Sequence, residues 1–328
     1  MALFTSTASA QSAVAHSGSD IRTQADWSQY INTYYDDLVD ELAGEIDASQ
    51  LAGLFREESQ SEDVHVRKTK VRGHSVAGIN EDGSAIPFLS WGQGWEHSHY
   101  VYPYRIGVKH TRHLEELENY GEISQEGMEL KDSVSRTVYY ALADAFNRCL
   151  GTAGAPFLCY DGMYLLDSAR PNPVVGAPTW SNLESTSDID EDALFQAQLN
   201  AQNTLAHNGD RMPLSIKKIY IPDDYDKVMW TLRSTAGTVG TAMNDANWAR
   251  GRFEYETVAE FTSNIIIYTL GDPKSDSNGL QIKWAVRPEV KDVNFEDPDV
   301  IGKRIRLRWG LACDDPRAMF RGGALNSL

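Results

Sequence analysis

Four histidines near one another are the residues most able to do chemistry. His97 and His99 form an H-x-H pair beside Glu96, and His110 and His113 follow within fifteen residues of His99. On a strand, His97 and His99 share a face. Three imidazoles can hold zinc and leave a fourth position for water, the layout of a metal-dependent hydrolase. Against that reading, there is no H-E-x-x-H and no obvious general base nearby. Exposed histidines in an aromatic-rich stretch serve more often as contacts than as ligands.

Other candidates fall short as well. Gly73-His74-Ser75-Val76-Ala77-Gly78 misses a nucleophile elbow because Ala77 stands where glycine is needed. Asp188, Asp190 and Asp192 open like a calcium loop, but Ala193 and Leu199 occupy the required Gly and Glu positions. An acid-rich helix start explains them better, since carboxylates suit the positive end of the helix dipole. No Walker A loop is present, and Gly151-Thr152-Ala153-Gly154 does not continue as a dinucleotide fingerprint. The cluster Arg67, Lys68, Lys70 and Arg72, with Tyr100, Tyr102 and Tyr104 to stack on bases, could hold nucleic acid. The net charge of −17 opposes such a grip on phosphates, although it does not oppose enclosing DNA. The expectation is therefore a protein that is not an enzyme, with no catalytic, cofactor-binding or metal-binding residues.

The 328 residues and 41% hydrophobic content suit one large domain or two joined ones. The densest apolar run, Ile265 to Leu270, is far below the ~20 residues of a membrane helix. Cys149, Cys159 and Cys313 match no zinc spacing and no C-x-x-C motif, and read as reduced thiols of a cytoplasmic protein. The Ala/Ser/Thr-rich start lacks the basic residues and continuous apolar middle of a secretory signal, so residues 1 to about 23 read as a flexible arm.

Periodicity supplies the elements. Trp27, Ile31, Tyr34, Leu38 and Leu42 mark one face of a helix beginning near Asp26, with Asp36, Asp37, Asp40 and Glu41 on the other. From Asp26 to Asp63 there are eleven acids and one base, Arg56. A strand-like stretch around Val64, Val66 and Val71, a turn-rich tip, and the alternation Tyr100, Tyr102, Tyr104, Ile106, Val108 predict one long hairpin over about 62–112. An isolated two-stranded ribbon is marginal in water, so a neighbouring subunit is its natural support. Leu130, Val134, Val138, Leu142 and Phe146 predict a helix from about Glu122 to Gly151. If so, it spans about 42 Å. Further on, the pattern predicts a helix from Glu191 to His207, closed by Asn208-Gly209, and a strand through Ile216, Ile219 and Ile221. A helix after Pro222 and a strand through Phe253, Tyr255 and Val258 follow. Ile265–Leu270 and Leu280–Val286 are expected to pair across the turn Asp272-Pro273-Lys274-Ser275, and Ile305 to Ala312 form a last strand.

Residues 61–113 hold seven bases and five acids, a positive element in an acidic chain. Opposite charge on two protruding elements predicts pairing between subunits, Arg67, Lys68, Lys70 and Arg72 on one side and Asp36, Asp37, Asp40 and Glu41 on the other.

The order arm, helix, two-stranded loop, long helix and mixed body resembles the Hong Kong 97-like fold of tailed-bacteriophage major capsid proteins. The later residues add to it: the helix from Glu191, the Asn208-Gly209 turn, the strand to Ile221, Asn247-Trp248, and Arg306-Leu307-Arg308-Trp309-Gly310 followed by Asp315-Pro316-Arg317. The resemblance implies an α+β (mixed α/β) fold. Its parts would be an N-terminal arm with the acidic helix (1–60), an E-loop hairpin (61–112), a spine helix (113–155), a mainly A-domain body (156–285) and C-terminal P-domain strands and tail (286–328). It implies a shell of hexamers and pentamers enclosing double-stranded DNA without specific binding, assembled in the host cytoplasm and resident in the virion. Separate scaffolding, portal and decoration proteins are its expected partners. Two other readings stay open: an encapsulin-type nanocompartment shell, and the hydrolase built on His97, His99, His110 and His113.

Overall fold

A computed structural model describes residues 24–48, 51–59, 64–70, 93–111, 120–151, 157–172, 178–184, 188–237, 247–271, 279–293 and 300–326. Two helices form the first layer. Helix α1 (Gln24–Ala48) lies along the long helix α2 (Tyr120–Asn147). Tyr35, Leu42 and Ile46 are buried on α1 and meet Leu130, Val134, Val138, Leu142 and Phe146 on α2, where a four-residue step keeps one face inward. Gly127 allows the close approach: a Cβ there would sit 2.9 Å from the Tyr34 ring, whose hydroxyl donates to the Ser124 carbonyl at 2.8 Å. The predicted long helix is thus present, and Gly151 follows it with φ +94°. Helix α1 thus finds cover for its apolar face within the chain itself, on α2 and on the first sheet.

The second layer is a four-stranded sheet in the order β1 (Arg56–Ser59), β8 (Leu280–Val293), β9 (Val300–Cys313), β4 (Tyr102–Thr111). Only β1 runs parallel to its neighbour. Here the structure corrects the hairpin over 62–112. β2 (Val64–Lys70) pairs with β3 (Gln93–Tyr100) as a separate two-stranded ribbon, whereas Tyr102–Thr111 pairs with β9 along its full length. The reason is matching apolar faces. Tyr102, Tyr104 and Ile106 stand opposite Trp309, Leu307 and Ile305, and the Tyr104 and Trp309 rings lie 5.5 Å apart. The chain crosses from β3 to β4 over Gly310, where a Cβ would fall 2.0 Å from the Tyr100 carbonyl oxygen.

A second four-stranded sheet runs β10 (Phe320–Ala324), β7 (Ile265–Thr269), β5 (Lys218–Pro222), β6 (Glu254–Val258), with only β5 and β6 parallel. Helices α3 (Glu191–Gln202) and α4 (Asp226–Ser234) pack beside it. Ile266, Tyr268, Ile219 and Ile221 join the helices in one core, while Ile265, Ile267 and Tyr220 turn into the other, shared with α1, α2 and the first sheet. The unbroken apolar run at Ile265 follows from burial on both faces. It also overturns the pairing of Ile265–Leu270 with Leu280–Val286: β7 needs cover on two sides and sits centrally in the second sheet, while β8 belongs to the first. The turn at 272–275 lies outside the described residues.

Smaller differences have local causes. The helix from Glu191 stops at Gln202 instead of His207, with Asn203 as its C-cap. Leu205 then bridges Arg211 across a tight turn in which Gly209 takes φ +88° and Asn208 donates to Asp210 at 2.7 Å. Asp190 caps α3, accepting from the Ala193 backbone N–H at 2.7 Å, so its calcium-like spacing serves the helix start.

Candidate assembly surfaces

The histidines divide. His99 is buried, its Nε2 2.8 Å from Asp314 Oδ1, and Gln281 donates to the other oxygen of that carboxylate at 3.3 Å. The His97 ring stands edge-on to His99 at 4.7 Å, and burial lowers its pKa, with His99 adding to the effect. The side chain of His110 and all of His113 lie outside the described residues. Among the described residues, no three His, Cys, Asp or Glu side chains gather as a metal site. His99 and Asp314 join the ribbon strand β3 to the chain just beyond β9, a structural task.

The charged residues picked out by sequence fall on two elements. Asp36, Asp37, Asp40 and Glu41 are all exposed, pointing away from the core that holds Tyr35 and Leu42. Glu41 has a partner within the chain: Lys131 Nζ of α2 lies 3.2 Å from Glu41 and 3.4 Å from Glu45. Burial works against the ammonium, yet the two carboxylates prevail and hold the Lys131 pKa above its ordinary value. Arg67, Lys68 and Lys70 lie on β2, and the backbone register sets Arg67 opposite His97 and Lys68 opposite Glu96. Their side chains, and Arg72 altogether, lie outside the described residues. Among the described residues the two sets lie on separate elements, α1 and β2.

A larger basic surface went unassigned in the sequence reading. In β9, Ile305, Leu307 and Trp309 are buried against the helices, so Arg304, Arg306 and Arg308 face the other way. The register lines them up with Arg105 on β4 and with Glu289 and Lys291 on β8, and Lys109 extends the row opposite Gly302. Of the side chains at these positions Glu289 is the one acid, and it binds Arg306 at 2.9 Å and Lys291 at 3.6 Å. The signal was legible: Arg304-Ile305-Arg306-Leu307-Arg308-Trp309 alternates charge with apolar bulk at the strand period. Helices α1 and α2 and the first sheet thus form a two-layer plate, with an acidic α1 face on the helix side and a basic face on the sheet side. At the plate's edge Tyr100 and Tyr102 are 52% and 55% exposed, an apolar addition to the charged surfaces.

Comparison with known proteins agrees in shape while offering nothing in sequence. No family model matches the chain, and no curated protein does. Solved structures do. The capsid of the cyanophage P-SCSP1u is similar with a TM-score of 0.55 at 11% identity, over 86% of this chain and 89% of that one. Mycobacterium phage Patience gives 0.54 at 11% identity, over 96% and 95%. The procapsid of bacteriophage JBD30 gives 0.52 at 12% identity, over 94% of this chain and 77% of that one. At this identity the likeness is one of architecture, and on it the chain adopts the Hong Kong 97-like fold of phage capsid subunits.

Proposed function

We propose that this chain is the major capsid protein of a tailed phage, a structural subunit without catalytic function. It self-assembles into hexamers and pentamers that close as an icosahedral shell around double-stranded DNA. The observation that carries the reading is the extent of the likeness: both cores, both sheets and the long helix are covered together, 96% of the chain in one case. Shells are assembled in the host cytoplasm and persist in the virion. Separate scaffolding, portal and decoration proteins complete the particle, and the DNA is enclosed without sequence-specific grip, in keeping with a net charge of −17.

In this reading α1 and the segment before it form the N-terminal arm, β2 and β3 the E-loop, α2 the spine, the second sheet with α3 and α4 the A-domain, and the first sheet the P-domain. Subunits meet through opposite charge. Asp36, Asp37 and Asp40 of one copy face basic side chains of another, from the β2 cluster or the sheet face. Complementary potentials fix orientation and exclude wrong docking, while closure of the shell multiplies modest contacts.

Electron microscopy of the purified protein, paired with gel filtration, tests this. Closed shells, or rings of five and six copies, are the expected result. Shells filled with a folded protein cargo in place of DNA would identify a nanocompartment of the encapsulin type. A protein that stays monomeric with its scaffold supplied would overturn the shell-building role.

A further inference from the structure

The region where the two sheets meet holds a buried cluster that the assembly reading does not use. Cys159 and Cys313 are both fully buried, at 0% exposure, in the same core, where the Cys159 thiol donates to the Tyr164 carbonyl at 3.8 Å. The backbone brings them together independently of the side chains. The Tyr160 N–H donates to the Asp314 carbonyl at 3.1 Å, which lays the chain next to Cys159 against the chain next to Cys313. Cys159 itself is pinned by its own N–H, which donates to the Met163 carbonyl at 2.8 Å. Arg170 completes the group. Its guanidinium is buried, bonds Asp161 at 3.0 Å and reaches the Cys159 sulfur.

We propose that Cys159 and Cys313 are a disulfide-forming pair, reduced while the protein is made and closed when it meets an oxidising medium, fastening the chain that follows α2 to the end of β9. The inference rests on these side chains and does not depend on the capsid reading. The two sulfurs are not equivalent. Burial disfavours a thiolate at each, but at Cys159 the Cys313 thiol and Arg170 overcome it and pull the group below its ordinary range. At Cys313 burial wins, and the thiol stays protonated. Cys159 is therefore the first to react, because the thiolate is the nucleophile. With hydrogen peroxide as oxidant, the Cys159 sulfur attacks one peroxide oxygen, giving a sulfenic acid and one water. The Cys313 sulfur then attacks the sulfenic sulfur, the S–O bond breaks, and a second water leaves with the thiol proton. Two thiols lose two electrons and two protons, and one peroxide becomes two waters. Cys149 stands apart. Burial pushes its thiol up to about 12 and no cation offsets it, so it stays inert.

A bond at this place closes a loop of about 150 residues, where constraint on the unfolded chain is large. Both cysteines belong to the core shared by the helices and the first sheet, so the bond fastens the chain after α2 to the end of β9 within that core. Reducing host cytoplasm keeps the pair open, and an extracellular medium closes it.

The test uses the full-length protein as purified under reducing conditions, then treated with peroxide, unfolded in excess iodoacetamide and weighed. The expected product carries one alkyl group instead of three, on Cys149, together with a peptide linked between Cys159 and Cys313. Its apparent melting temperature rises by roughly 5 °C and falls back on reduction. Cys159→Ser and Cys313→Ser each remove the linked peptide, while Cys149→Ser leaves it. Full alkylation of all three thiols after saturating peroxide, or a sulfinic acid at Cys159 beside a free Cys313, would overturn the pairing, and both are read on the wild-type chain even if a variant fails to fold.

Discussion

The two four-stranded sheets of this subunit solve opposite problems. In the second, β7 and β5 send apolar side chains to both faces, Ile266 and Ile219 toward α3 and α4, Ile267 and Tyr220 toward α2. In the first, one face of β9 carries Ile305, Leu307 and Trp309 and the other carries three arginines. The second sheet is an internal wall between cores. The first is half core and half exterior, and its exterior is charged in the sense opposite to that of the chain as a whole. A single sequence thus separates what holds the subunit together from what it presents to others.

That separation can be broken from either side. Reversing Arg304, Arg306 and Arg308 to Glu should abolish shells in electron microscopy while the monomer keeps its circular dichroism, because the three half-buried side chains stand outside the apolar core. Normal shells from this variant would remove the sheet face from assembly. Reversing Arg67, Lys68, Lys70 and Arg72 to Glu should reduce shell yield at least several-fold and slow assembly, with the wild type losing rate in high salt and the variant much less so. An unchanged salt response would show that the ribbon's charge does not steer docking. On the wall, Ile267→Ala removes buried atoms and should cost about 2–4 kcal/mol in denaturant unfolding of the monomer, affecting assembly only through the fraction folded. The smallest effect belongs to the partly exposed pair at the helix layer. Lys131→Ala should lose less than about 1 kcal/mol, since its carboxylate partners sit in water.

Much of the fold was legible because it is local. Leu130 to Phe146 at four-residue steps fix α2, and Asp190 followed by Ala193 marks the start of α3. What escaped was partnership across the chain. Tyr102 to Val108 alternate as any strand would, and nothing in those residues says that the partner lies at Ile305 and not at Val66. Strand β10 was missed altogether, since Phe320-Arg321-Gly322-Gly323-Ala324 has no alternation. Its glycines are there for closeness: a Cβ on Gly322 would fall 2.4 Å from the Ile266 carbonyl oxygen. For the assembly surfaces, the acidic α1 face was readable from helical period. The basic sheet face needed the knowledge of which side of β9 is buried, and the task of His99 depends on Asp314, more than two hundred residues away.

The distance in sequence between β4 and β9 bears on how the protein is made. The first sheet takes strands from residues 56–59, 102–111, 280–293 and 300–313. At a ribosome adding about 5–20 residues each second, β4 therefore waits for its partner until residues 300–313 have been made. Pairings of this range are slow to form and leave apolar faces open in the meantime. The basic face, which exists only once β9 lies between β8 and β4, is among the last features to appear. Chains in which β9 has yet to be made lack one side of the plate.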